Sequence, residues 1–109
     1  YTALFRSDGQ TLTRLMDDSA IAIDELDRIL SEYGEKVAFV GDGYDITEKG
    51  FEKTKIVFVP ERQRLQSAYS VACIALEKLS RGETVSDAHL VPIYLRPSQA
   101  ERTLNNNPN

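Results

Sequence analysis

The sequence predicts a mixed α/β domain, and three observations lead to that class. A hairpin pattern opens the chain, two short apolar runs ending in Gly or Pro follow, and segments with helical periodicity lie between and after them. The 109 residues suit one small domain with one core. We therefore expect the element order β-β-α-β-α-β-α and a final extended segment, with helices packed on a mixed sheet.

The hairpin is predicted from "YTALFR" (1–6) and "TLTRLM" (11–16), which alternate between two faces and are rich in β-formers. Asp8-Gly9 lies between them. We interpret this pair as a two-residue turn, since both residue types tolerate a positive φ.

The first helix is predicted over Ile23–Tyr33. Its apolar residues fall on one stripe, acidic residues occupy the first turns, and Gly34 is a suitable C-terminal stop. The stripe comprises Ile23, Leu26, Ile29, Leu30 and Tyr33.

Two apolar runs predict a pair of parallel strands. "VAFVGDG" (37–43) and "KIVFVP" (55–60) read as strands buried on both faces, joined by a weaker helical stretch that Gly50 interrupts. A strand, a helical crossover and a second strand form a βαβ unit.

The longest helix is predicted over 62–81, with Gly82 ending it. Cys73 lies one step from the apolar stripe, and we expect it to be a buried small hydrophobic residue. The stripe expected to be buried comprises Leu65, Ala68, Tyr69, Ala72, Leu76 and Leu79.

Composition restricts the function. The net charge of −4 disfavours direct nucleic-acid binding, and one Cys with one His excludes an intramolecular disulfide and a zinc or iron site built on His/Cys spacing. We expect no cofactor.

No apolar run approaches the length of a membrane span, and the composition is compatible with the cytoplasm. Tyr1 reads as the middle of a strand, so we expect a fragment whose N-terminal part is missing.

Two groups of residues are weak candidates for chemistry. Gly41, Asp42 and Gly43 follow a strand, where a glycine turn can hold phosphate, but the Lys and Ser/Thr of a P-loop are absent. We favour a plain strand-to-helix turn. The second group consists of the acidic residues Asp17, Asp18, Asp24, Asp27, Asp42 and Asp45. They could bind magnesium or act as acid/base groups, but we favour their interpretation as solvated loop charges and partners of helix dipoles.

The stretch "VPIYLRPSQAE" (91–101) is the stronger candidate, as a contact segment. In an extended chain, Val91, Ile93 and Leu95 share a face that can dock on the domain, and Pro92, Tyr94 and Arg96 share the other. Ser98 and Glu101 match a capping box. The contact candidates are Tyr94, Arg96, Ser98 and Glu101; equally, Arg96 caps a helix of its own domain. Residues 105–109 have the composition of a disordered tail.

Three stretches together resemble the TsaB (YeaZ) family. "VPIYLRPSQAER" is similar to its C-terminal "P-x-Y-L-R-x-S/P-x-A-E" segment, "KVAFVGDG" to its strand ending in a "G-D/N-G" turn, and "YTALFRSDGQTLTRL" to its strand–turn–strand. The resemblance covers about residues 1–104. It implies a ribonuclease-H-like mixed sheet with flanking helices, the second lobe of an actin/Hsp70/sugar-kinase-type (ASKHA) fold lacking its first strand.

The resemblance also implies a function. TsaB proteins are non-catalytic subunits in the synthesis of threonylcarbamoyladenosine, a modified tRNA base, and support the transferase TsaD by protein–protein contact. The ATPase TsaE completes the bacterial assembly, and family members form homodimers. The alternatives are an actin-like nucleotide-binding ATPase, a glycoprotease-like hydrolase, and an unrelated parallel α/β binding module.

Overall fold

The computed structural model describes residues 1–97, except the side chain of Glu48, and residue 102. It confirms the α/β class: the described residues form three α-helices and two sheets of two strands each. The chain divides into two compact units. One comprises Tyr1–Ile21 and the described residues from Val91 onward, and the other comprises Ala22–Leu90.

The predicted hairpin is confirmed in the first unit. Strand β1 (Thr2–Ser7) pairs antiparallel with β2 (Leu12–Ser19). The predicted two-residue turn is wrong, because Ser7 pairs with Leu12 and residues 8–11 form the loop. Among the non-glycine residues described, none has a positive φ; Gly9 has a φ of 93°.

The turn is stabilised by the carboxylate of Asp8. It accepts hydrogen bonds from the backbone amides of Gln10 (2.8 Å) and Thr11 (2.7 Å) and from the Thr11 hydroxyl (2.8 Å). Asp is common in turns for two reasons: its side chain accepts hydrogen bonds from nearby backbone amides, and its backbone tolerates a positive φ. In this turn, Asp8 acts as the acceptor and does not adopt a positive φ.

Helix α1 (Ile23–Tyr33) has the predicted bounds, and Gly34 ends it at a φ of 66°. Leu26 and Leu30 are buried, and Ile29 is half-buried. The two end members of the predicted stripe, Ile23 and Tyr33, are 38% and 40% exposed. The stripe is therefore buried at its centre only.

The predicted βαβ unit is confirmed. Strand β3 (Lys36–Ala38) pairs in parallel with β4 (Lys55–Val57), and helix α2 (Tyr44–Gly50) connects them. Burial on both faces is wrong, since Val37 and Ile56 are half-buried while Ala38 and Val57 on the opposite face are exposed.

Helix α3 (Ala68–Ser80) is shorter than the predicted 62–81. A 3-10 turn (Glu61–Gln63) precedes it, and the Ser67 side chain caps it by accepting the Ser70 amide hydrogen at 3.1 Å. The predicted stripe is wrong, because every residue of α3 is exposed, as is Leu65; Cys73 is exposed as well. Periodicity identified a helix, but no described element covers it.

The strand pairing also differs from the expected single mixed sheet. Within the described residues, β1 pairs only with β2 and β3 only with β4.

None of the described helices is both long enough and apolar enough to cross a membrane.

Candidate functional site

The C-terminal stretch belongs to the first unit and contacts the start of the chain there. The guanidinium carbon of Arg96 lies 5.4 Å from the centre of the Tyr1 ring, so its described partner is an aromatic ring rather than a helix end. Tyr94 is 84% exposed. Ser98, Glu101 and the tail 105–109 lie outside the described residues.

The expected docking face of this stretch is only partly present. Val91 and Ile93 are 69% and 75% exposed, which contradicts their expected burial, whereas Leu95 is half-buried. Residues 91–97 form neither strand nor helix. Without strand pairing, nothing forces the strict alternation of side chains on which that expectation rested.

A cavity of about 310 Å³ lies in the first unit, lined by Tyr1, Thr2, Asp18, Ile93 and Leu95. The Asp18 carboxylate forms an ion pair with Arg14 at 3.1 Å. The Asp18 carboxylate is therefore already paired with Arg14, and the lining of the cavity presents chiefly apolar surface.

The glycine turn lies beyond the carboxyl end of β3. Gly41 has a φ of 105°, and its amide donates a hydrogen bond to the carbonyl of Arg64, in the loop after β4. This bond uses the Gly41 donor that the phosphate-binding alternative would need. Asp42 and Gly43 are exposed and precede the seven-residue helix α2.

Arg64 is the centre of a cluster that sequence reasoning missed. Its guanidinium carbon lies 3.6 Å from the centre of the Tyr44 ring and 5.5 Å from that of Phe58. Its Nε donates to the carbonyl of Val59 at 2.7 Å. The topology could have predicted where this cluster lies. The carboxyl ends of two neighbouring parallel strands meet at one edge of the sheet, so the loops after β3 and β4 lie close together.

Asp27 is a second residue whose role was missed. It was interpreted as a helix-dipole partner, but it is buried and its carboxylate accepts the backbone amides of Glu52, Lys53 and Thr54 at 2.9–3.3 Å. The Thr54 hydroxyl donates to it at 2.7 Å. Burial opposes ionisation, but the Thr54 hydroxyl and these amides together hold the pKa of Asp27 below its ordinary value.

These bonds give Asp27 a structural role. It ties α1 to the segment leading into β4, and all its described partners are hydrogen-bond donors of the protein itself. The geometry therefore assigns Asp27 to the support of the fold rather than to acid/base work.

Two further hydrogen-bonded pairs contain chemically reactive side chains, and both are local. The hydroxyl of Ser86 lies 2.6 Å from Nδ1 of His89 within one exposed 3-10 turn, and Ser67 lies 2.9 Å from Ser70 at the start of α3. In the part of the chain that the structure describes, no group of three or more His, Cys, Asp or Glu residues could hold a metal ion. No family model, curated protein or solved structure matches the chain.

Proposed function

We propose that this chain is the C-terminal lobe of a TsaB-type subunit that supports the transferase TsaD by protein–protein contact during synthesis of threonylcarbamoyladenosine in the cytoplasm. In this proposal the chain performs no chemistry of its own. Its strands belong to a ribonuclease-H-like sheet of the actin/Hsp70/sugar-kinase type, and its surfaces bind neighbouring subunits.

The observation that carries the contact role is the exposure of α3. None of its 13 residues is buried, and five large apolar side chains are each more than half exposed: Tyr69, Val71, Ile74, Leu76 and Leu79. A helix that is apolar on all sides is normally buried against other structure. Contiguous apolar surface on a protein marks a site of contact. Covering α3 with a partner would remove this surface from water.

The C-terminal stretch gives further support. Tyr and Arg are enriched in protein interfaces, and the exposed Tyr94 lies two residues before Arg96 in the segment whose motif is similar to that of TsaB proteins. Within the first unit, the Arg96–Tyr1 contact holds this segment against the start of the chain, while Tyr94 is exposed to water.

Co-purification with TsaD tests the proposal. We expect tagged full-length protein to retain TsaD, and the double variant Tyr69→Ser/Leu76→Ser to bind it at least about tenfold more weakly, because large side chains at the centre of an interface carry much of the binding energy. Lys78→Ser, an exposed polar position on the same helix, is the matched control.

Two results would argue against the proposal. Failure of the full-length protein to retain TsaD would remove the family assignment. If the double variant lost binding only together with a large fall in melting temperature, α3 would be part of the protein's own core, and the contact would have to lie elsewhere.

A further inference from the structure

Arg64 is held in place before any partner arrives. Its Nε donates to the carbonyl of Val59 at 2.7 Å, and its guanidinium group stacks on Tyr44, which is only 5% exposed. Its own carbonyl accepts the Gly41 amide hydrogen, which fixes the backbone as well. A side chain ordered in this way loses little further conformational entropy when it binds.

The charge of Arg64 lacks the ion pair that three other arginines form. Arg14, Arg28 and Arg81 each form an ion pair with at least one carboxylate at 2.6–3.1 Å. Among the described residues, no carboxylate pairs with Arg64, and the hydrogen bond that its side chain donates uses Nε. Its two η nitrogens therefore remain as donors for an external acceptor, and the residue is partly open to solvent.

An exposed aromatic ring lies beside this cation, and two exposed apolar residues are next to Gly41 and Arg64 in the chain. The Phe58 ring, centred 5.5 Å from the guanidinium carbon, is 72% exposed. Val40 precedes Gly41 in the chain and Leu65 follows Arg64, and they are 66% and 65% exposed. We call these four residues, Val40, Phe58, Arg64 and Leu65, the Arg64 surface. It lies beyond the carboxyl ends of β3 and β4, the edge at which α/β sheets usually bind ligands.

We propose that the Arg64 surface binds a protein segment that presents a carboxylate flanked by apolar side chains. The planar guanidinium fork matches the two oxygens of a carboxylate, and arginine and aromatic side chains are typical of the residues that dominate binding energy in protein interfaces. The net charge of −4 disfavours a polyanion such as a nucleic acid more strongly than it disfavours a single carboxylate. Arg64 and Leu65 lie four and three residues before the start of α3, and the occupant of this surface need not be TsaD.

Titration with 3-phenylpropionate, a carboxylate with an apolar body, tests the proposal by NMR. We expect saturable shifts of the Arg64 Nε–Hε signal and of the Phe58 ring signals, with half-saturation in the millimolar range. Arg64→Lys, which keeps the charge but loses the fork, should bind about tenfold more weakly, and Phe58→Ser about threefold more weakly. Arg62→Lys, at an exposed arginine two residues away, should bind like the wild type.

Arg64 also supports the fold, so the Gly41 amide signal and the melting temperature are recorded for each variant; Phe58→Ser keeps the test valid if Arg64→Lys unfolds. Equal, non-saturating shifts at Arg62 and Arg64 would overturn the proposal. Stronger binding of inorganic phosphate than of 3-phenylpropionate at Arg64 would overturn it too, by identifying a phosphate site. Neither result depends on whether the protein binds TsaD.

Discussion

Asp27 joins two segments that lie 25 to 27 residues apart in the chain. Its carboxylate offers four lone-pair positions, and three amides and one hydroxyl occupy them. A buried charge is tolerated only when it is paired or fully hydrogen-bonded, and at this residue the backbone supplies the donors. Removal of the charge should therefore weaken the connection between α1 and β4.

Asp27→Asn should lower the melting temperature clearly, because the amide group replaces one acceptor oxygen by a donor that faces donors. Asp24→Asn is the matched control, since Asp24 is exposed on the same helix and its change should alter stability by at most about 1 kcal/mol. Thermal melts followed by circular dichroism compare the two. Equal melting temperatures for both variants would contradict the structural role of Asp27.

The lowered pKa of Asp27 also predicts a pH dependence. A carboxylate whose pKa is lower in the folded state stabilises the fold fully above its ordinary value of 3.8, and this contribution disappears as the pH falls through the lower folded value. The difference in urea midpoint between wild type and Asp27→Asn should be constant from pH 7 to about pH 5 and shrink below pH 3.8. A difference that grew on acidification would contradict this reasoning.

Asp8 provides a titration test of the turn. The Thr11 amide, then the Gln10 amide and the Thr11 hydroxyl, lower the pKa of Asp8 from 3.8 to about 2. Carboxyl ¹³C NMR should therefore place its midpoint near pH 2. Thr11→Val removes the hydroxyl and keeps both amides, so it should raise the midpoint part of the way. A midpoint near 3.8 in the wild type would mean that these hydrogen bonds do not persist in solution.

At the scale of elements, α1 and α2 approach each other closely where Gly50 faces Ile23. A Cβ atom added at Gly50 would lie 2.7 Å from Cγ2 of Ile23, a distance that real side chains avoid. This methyl group is attached to the Cβ of a β-branched residue, whose χ1 is strongly restricted in a helix, so it moves away only through an unfavourable rotamer or a shift of the helix. The absence of a side chain at Gly50 therefore permits this packing.

Gly50→Ala should destabilise the protein by about 1–3 kcal/mol, since overpacking outweighs the gain of up to ~1 kcal/mol in helix propensity. Gly43→Ala is the matched control: its φ is −80° and no atom lies within 4 Å of the added Cβ, so only the preference of the N-cap of α2 for Gly over Ala acts on it, and the change should cost less than Gly50→Ala. Equilibrium urea unfolding measures both. A stabilised Gly50→Ala variant would show that α1 and α2 are further apart.

At the scale of the whole molecule, little apolar surface is removed from water. The buried hydrophobic residues of the described chain are Leu26, Leu30, Tyr44 and Val59, all in the unit formed by Ala22–Leu90. Folding must offset the conformational entropy of every ordered residue, so a small core leaves a small margin of stability. Binding of a partner would therefore remove more apolar surface from water in this chain than in a protein with a complete core.

Two leucine truncations measure this unequal burial. Leu30→Ala, at a side chain only 2% exposed, should cost about 2–5 kcal/mol in the free energy of unfolding. Leu79→Ala on α3, at a side chain 61% exposed, should cost no more than about 0.5 kcal/mol. Urea unfolding of the isolated chain gives both values. Similar losses at the two positions would mean that α3 is covered within the chain itself.

What the sequence could predict follows from the range of the interactions. The bounds of α1 and the pairing of β3 with β4 depend on periodicity, a glycine stop and local apolar runs, and these were predicted correctly. The role of Asp27 depends on amides 25 to 27 residues away, which no local pattern encodes. Similarly, the stripe on α3 identified a helix but carried no information about what covers it.

The exposure of Cys73 has a practical consequence. It is the single thiol of the chain, and it lies on the helix with the most apolar surface, so an alkylating reagent labels one known point. The rate of that labelling reports directly on shielding of α3, without any substitution in the protein. Slower alkylation when a candidate subunit is added, and full recovery when the subunit is diluted out, would provide a reversible footprint of assembly.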